Sequence, residues 1–310
     1  MQYVGFALGG RAVTEVSSMS CQSHLVDMRI GGPSSLARSL GWDKHYAPPA
    51  RAWEVIGTLT PSLRGKGFRG RGDILAGVHD SNANLLRYLA GGQSHFTLLS
   101  TGTWIIGFDT DADITALDPA RDIVANKNVF GETVASCRFF GGKEFEVLSQ
   151  GAAGETLESV AALVAADVMA LPSFTDSGGP MPGTGLTGRI TGPFREGPGA
   201  RAALASLYCA LMVAESLDAI SSKGNIIVDG PFSQNGVFLA VLAALRPEQA
   251  VLASEARDAP AAGPACLALM PNGKLPHIDI AMRKVAGAAI DGLAAYQQRW
   301  RERARPAGDS

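Results

Sequence analysis

The chain has 310 residues and a net charge of −2, with 46% apolar and 18% charged residues. That length suits two modest domains or one large one, and the composition is that of a globular protein with a core rather than a disordered chain. The near-neutral charge leaves no basic footprint for nucleic acid, since the short basic stretch 64–71 (RGKGFRGR) is broken by glycines and reads as a solvated loop.

The four cysteines, Cys21, Cys137, Cys209 and Cys266, form no CxxC pair and have no histidine at metal-ligand spacing. They read as buried or half-buried thiols in a reduced, cytoplasmic compartment. No signal peptide is visible. The longest apolar helix-like stretch, 201–222, carries Glu215 and Asp218 and reads as a core helix, so no membrane partner is expected.

In chain order, 12–17 reads as a short strand and 33–46 as a helix opened by Pro33-Ser34-Ser35. Residues 47–73 are punctuated by Pro and Gly and read as loop. A buried strand over 73–78 runs into a helix over 79–90, and Gly91-Gly92 ends it, marking a division between 1–92 and 93–310. Strands follow at 96–100, 104–108 and 133–140, then helices at 144–150 and 155–171 and a Gly/Pro-rich stretch over 177–199. The remainder alternates: helix 201–222, strand 225–228, helix 237–245, strand 250–253, helix 263–269 and a last helix over 281–303. A strand meander followed by crossovers implies an α/β fold, a mixed sheet with helices on its faces, and this order resembles the ribonuclease-H-like unit of the actin-like ATPases.

Three segments carry chemistry. Gly77-Val78-His79-Asp80-Ser81-Asn82 lies where a strand ends and a helix begins. Asp80 there reads either as a helix cap or as a general base at the C-terminal end of a strand, where open α/β sheets place ligands. Ser100-Thr101-Gly102-Thr103-Trp104 is a tight turn between apolar strands, either an ordinary hairpin or an anion nest of backbone N–H groups. Asp229-Gly230-Pro231-Phe232-Ser233-Gln234-Asn235 is a strand-turn-helix connection whose glycine admits a flat ligand and whose polar side chains are neutral. No GxGxxG or GxxxxGK[ST] is present.

The order and spacing of these segments resemble the FGGY family of carbohydrate kinases. Residues 14–27 (TEVSSMSCQSHLVD) are similar to a segment of that family's first domain, with Val26 where a Trp is usual. Glu54-Val55-Ile56-Gly57 resembles the segment before the last strand of that domain. Gly77 to Asp80 resembles the motif that supplies the catalytic aspartate. Ser100 to Trp104 resembles the phosphate-contacting hairpin, in the Ser-x-Gly-Thr-Trp form of the rhamnulokinase and fuculokinase branches. Asp229 to Asn235 resembles the adenosine motif, keeping only the second glycine of a Gly-Gly pair, Gly230. Residues 263–269 sit where the family has a Gly-Ala-Ala helix start, with Pro264 as a departure.

The resemblance implies an ATP- and Mg²⁺-dependent kinase acting on a sugar, such as fuculose, rhamnulose or xylulose. It implies Asp80 as base, His79, Asp80 and Asn82 toward the sugar, and Ser100, Thr101, Gly102, Thr103, Gly230, Pro231, Ser233, Gln234 and Asn235 toward the nucleotide. It further implies a sugar-binding remnant over 1–92 and a nucleotide-binding unit over 93–310. The family's opening Asp-x-Gly-Thr hairpin is absent from these residues. The expectation is therefore low activity for the chain alone and a tendency to self-associate, as in a homodimer. The alternatives are a truncated, non-catalytic nucleotide-binding remnant and another actin-fold ATPase.

Overall fold

The computed structural model describes residues 2–21, 23–177, 179–197, 199–255 and 259–305. Two compact units emerge. Unit 1 comprises Met1–Ser94, Ala125–Val134 and Asp258–Ile280; unit 2 comprises His95–Val124, Ala135–Arg257 and Ala281–Ser310. The sequence suggests a single division at Gly91-Gly92, whereas the chain returns to unit 1 twice more.

Unit 1 opens with short helices α1 (Gln2–Ala7), α2 (Val16–Ser20) and α3 (Ser35–Ser39), then an antiparallel pair, β1 (Val55–Thr58) and β2 (Asp73–Leu75), and helix α4 (Asp80–Ala90). The expected strand over 12–17 is not formed. Glu15 accepts the Ser17 and Ser18 N–H groups as an N-cap and starts α2 instead. The expected helix over 33–46 breaks at Gly41 (φ 69°) into α3 and a 3₁₀ turn, Trp42–His45. Trp42 in that turn is half exposed. β1 falls within the stretch read as loop.

Unit 2 is built on a seven-stranded mixed sheet. Its strands are β3 (Phe96–Thr101), β4 (Ile105–Asp109), β5 (Ile123–Lys127), β6 (Thr133–Phe139), β9 (Asn225–Asp229), β10 (Val251–Ser254) and β11 (Met282–Lys284), in the order β11-β10-β9-β3-β4-β6-β5. The far ends of β5 and β6 belong to unit 1. β3 runs parallel to β9, and β9 to β10; β4 is antiparallel to β3 and β6. β5 and β11 were not legible as strands, being short and bordered by polar residues. A two-stranded sheet, β7 (Met169–Leu171) with β8 (Arg189–Thr191), lies apart.

The helices of this part are α5 (Gly141–Ser149), α6 (Leu157–Ala165), α7 (Ala200–Ala219), α8 (Gly236–Leu245), α9 (Ala259–Ala268, in unit 1) and α10 (Leu293–Ala304). The helix expected over 155–171 stops at Ala165, and Asp167 (φ 53°) turns the chain into β7. The helix expected over 281–303 is β11 followed by α10, which starts after Gly292 (φ 76°). α9 begins before Gly263 and carries Pro264 inside it.

Between Ala202 and Ala214 α7 carries no charged residue on any side, and such a helix must be buried. Residues Ala202 to Leu217 are all buried. α7 is long and apolar enough to cross a membrane by composition, but 89% of its apolar window is buried inside the protein. α10 docks through two polar tips: the Tyr296 hydroxyl donates to Val168 O (2.6 Å) and the Trp300 indole N–H to Ala170 O (2.7 Å). Burial with a satisfied donor lets these rings contribute their full apolar area to the core.

Candidate functional site

In unit 1, Gly77 turns the chain after β2 with φ 84°, a conformation that favours glycine. The residue capping α4 is His79, whose side chain makes no cap bond, and Asp80 is the first helical residue. The capping reading of Asp80 is thereby corrected: its carboxylate does not serve the orphan N–H groups deeper in the helix. Asp80 Oδ1 accepts the Ser81 N–H (2.6 Å) and hydroxyl (3.2 Å), and the side chain is 86% exposed. Oδ2 has no partner among the described residues. His79 Nδ1 lies 3.1 Å from Asp80 Oδ1 without the angles of a hydrogen bond, while its Nε2 meets Cys21 Sγ at 3.2 Å. Asn82 is 2% exposed, and its Oδ1 is buried with no donor among the described residues. A buried carbonyl oxygen left unpaired is costly in an apo protein, and a water or a ligand hydroxyl would relieve it.

In unit 2, Ser100 pairs in register with Asp229, so the turn after β3 and the turn after β9 leave the sheet side by side. Both sit at the C-terminal ends of parallel strands, the edge where ligands bind in open α/β sheets. Thr101 is buried, Ser100, Gly102 and Trp104 are half-buried, and Thr103 is exposed. The Gly102 N–H donates to Trp104 O (2.8 Å), closing the turn. Gly230 adopts φ 87°, ψ −163°, a region essentially reserved for glycine. A Cβ there would overlap the Thr101 carbonyl oxygen. The Thr101 hydroxyl ties the two turns by donating to Asp229 O (2.5 Å) and accepting the Phe232 N–H (3.1 Å).

The other polar residues of the second turn divide by exposure. Pro231 and Gln234 are exposed, with Gln234 Nε2 donating to Ser233 Oγ (3.1 Å). Ser233 is buried. Asn235 is committed to the fold: its Oδ1 caps α8 through the Phe238 N–H (2.8 Å), and its Nδ2 donates to Ser206 Oγ (3.0 Å).

Sequence reading missed a third neighbour of these turns, the N-terminus of α5. The Gly142 and Lys143 N–H groups both point at Thr103 O (3.1 and 3.3 Å), and a Cβ at Gly142 would overlap Gly102 O. The Gly141-Gly142 pair at a strand end was the available signal. Trp104 is held between the Phe140 ring, stacked at 4.1 Å, and the Arg138 guanidinium at 5.0 Å. It lines a cleft of about 420 Å³ with Asp122, Arg138 and Ser177. Asp122 there accepts Arg138 Nη2 (2.7 Å) and Ser177 Oγ (3.1 Å).

Among the described residues, no group of three or more His, Cys, Asp or Glu side chains could hold a metal ion. That donor set suits a Mg²⁺ carried on phosphates and waters, which needs at most one or two carboxylates.

A seven-stranded mixed sheet with its two turns locked at one edge is an actin-like ATPase fold. The family description "Carbohydrate kinase FGGY, C-terminal domain" matches residues 93–276, and the chain belongs to the FGGY family of carbohydrate kinases. The solved structure of a carbohydrate kinase from Novosphingobium aromaticivorans is 34% identical, with a TM-score of 0.82 over 98% of this chain and 67% of that one. A ligand-bound xylulose kinase from Lactobacillus acidophilus (17% identity, TM-score 0.76, 97% of this chain and 65% of that one) shares the fold. So does a Plasmodium falciparum glycerol kinase with ADP (12% identity, TM-score 0.71, 98% and 65%). No curated protein matches. The chain spans about two thirds of the length of these solved relatives.

Proposed function

We propose that the protein acts in ATP-dependent phosphorylation of a sugar, transferring the γ-phosphate to a hydroxyl, with Asp80 as general base. The observation that carries this reading is the state of Asp80 in a chain of this family: a carboxylate exposed at a strand-to-helix junction, with one oxygen held by Ser81 and the other unpartnered among the described residues. As a sugar hydroxyl attacks phosphorus, that oxygen would accept its proton. The orphaned Asn82 Oδ1 would accept a second sugar hydroxyl, and His79 would set the position of the junction. Residues 1–92 would thus carry sugar contacts and 93–310 nucleotide contacts.

The nucleotide would lie against Ser100, Thr101, Gly102 and Thr103 and against Gly230, Pro231, Ser233 and Gln234, with Asn235 and Thr101 holding the turns in place. Mg²⁺ would travel on the phosphates and neutralise the charge that builds on them during transfer. The substrate would be a ketose such as fuculose, rhamnulose or xylulose, and the enzyme a cytoplasmic homodimer. The test is a coupled assay of the 310-residue chain with ATP and a panel of ketoses, alongside nucleotide titration calorimetry. Asp80→Asn should reduce turnover by at least about a hundredfold, in the range of general-base contributions, while nucleotide affinity stays within twofold by about the same standard. An unchanged rate would remove Asp80 as the base, and a parent chain that binds nucleotide without turnover would favour the non-catalytic alternative.

A further inference from the structure

Cys21 ends α2, and its Sγ lies 3.2 Å from His79 Nε2. The contact is built from two sides. Glu15, fully buried, accepts the N–H and hydroxyl of both Ser17 and Ser18 and so fixes α2. Ser17 Oγ in turn accepts the His79 N–H at 3.4 Å. The far nitrogen of the same ring, Nδ1, lies 3.1 Å from Asp80 Oδ1. A thiol at one imidazole nitrogen and a carboxylate beside the other is the arrangement in which a histidine activates a cysteine.

The other three cysteines stand in contrast. Cys137, Cys209 and Cys266 are at most 3% exposed. Burial pushes the Cys137 thiol up to about 12, Cys209 well above its ordinary value, and Cys266 upward. Cys21 is half-buried and carries no disulfide.

We propose that Cys21 is a thiol–disulfide exchange site that takes a low-molecular-weight disulfide of the glutathione-disulfide type, and that its occupancy is passed through His79 to Asp80. In the exchange, the Sγ proton moves to His79 Nε2. The Cys21 sulfur bonds to one sulfur of the disulfide as the S–S bond breaks, and the other half leaves as a thiolate that takes the proton back from His79. No oxidant beyond the disulfide is consumed. The adduct replaces the small Sγ–H against the ring and shifts the imidazole beside Asp80. The consequence for catalysis rests on the kinase reading; the exchange itself does not.

The test incubates the intact chain with glutathione disulfide, without ATP or sugar, and maps adducts by peptide mass. One adduct is expected, on Cys21, forming at least about tenfold faster than at any other cysteine, as thiolate character and access dictate. His79→Gln should slow it by roughly the same factor, and Cys21→Ser should abolish it. Labelling that starts at Cys137, Cys209 or Cys266 overturns the site without any variant, as does an unslowed His79→Gln. Adduct formation should also move the His79 imidazole resonances in a ¹⁵N spectrum; unmoved resonances overturn the link to Asp80. A chain with no turnover would sink the kinase reading and leave these readouts intact.

Discussion

The Thr101 hydroxyl and the Asp229 carbonyl oxygen, 128 residues apart in sequence, are joined by a 2.5 Å hydrogen bond. The same hydroxyl accepts the Phe232 N–H, so one buried side chain locks the hairpin turn to the turn after β9. Thr101→Val keeps the shape and the β-branch but removes both bonds. The Phe232 N–H is then buried without its partner, which costs about 1–3 kcal/mol. A lower urea midpoint with an unchanged slope is expected, together with weaker nucleotide binding in calorimetry. Full-strength binding would separate the lock from the site.

Gly230 fits no other residue. Alanine there would hold a backbone conformation reserved for glycine and drive its Cβ into the Thr101 carbonyl oxygen. Gly230→Ala is expected to cost about 3 kcal/mol, the upper end for such backbone strain because the Cβ overlap adds to it, seen as a fall in thermal midpoint. A midpoint equal to that of the parent would show that the turn has another accessible conformation.

Glu144 is a buried carboxylate with four donors: the Phe174 and Thr175 N–H groups, the Thr175 hydroxyl and the Tyr208 hydroxyl. Every partner donates, so Glu144→Gln sets an amide N–H₂ against a donor wherever it turns. The loss should be about 3 kcal/mol, as for breaking a buried charged hydrogen-bond set. Burial and then the Glu144 charge raise the Tyr208 phenol well above its ordinary value. Absorbance titration of the folded chain should therefore show that tyrosine silent through the range where exposed tyrosines ionise.

Asp167 is held in the left-handed region (φ 53°) and accepts from Arg299 (3.0 and 2.8 Å) and Arg303 (2.9 Å) of α10. The Arg299 hydrogen bonds, and then those of Arg303, lower its carboxyl below the ordinary carboxylate value. A lowered folded value means stability that is present above the unfolded value of about 3.9 and is lost as pH falls through the folded one. Asp167→Asn keeps the backbone conformation, which Asn tolerates. At neutral pH it should cost at most about 1 kcal/mol, because the group is partly exposed and screened. The gap to the parent should close in strong acid; a gap that widens there would contradict the pairing.

The chemistry-bearing segments were legible because each is local. Glycine at 77 and 230 and the hydroxyl-rich turn at 100–104 mark strand ends in any fold, and their order matches the family. The apolar runs of β3, β4, β9 and α7 were equally plain, since a fully buried element needs an unbroken apolar stretch. What misled was also local. Glu15 looked like one residue of a strand, yet it caps α2 because two serines follow it. Residues 167–171 looked like the end of a helix until β8 supplied a partner.

By itself, then, the sequence determined the fold class through its periodicity, and the order of its glycine-marked motifs carried the resemblance to the family, because both are written in local pattern. Only the tertiary structure decided what the side chains do within them. It moved the capping position from Asp80 to His79, committed Asn235 and Thr101 to holding turns, left Asn82 Oδ1 without a donor among the described residues and set Cys21 against His79. Each of these is a meeting of groups far apart in sequence, or an orientation of a few degrees about one bond, and neither leaves a mark on local pattern.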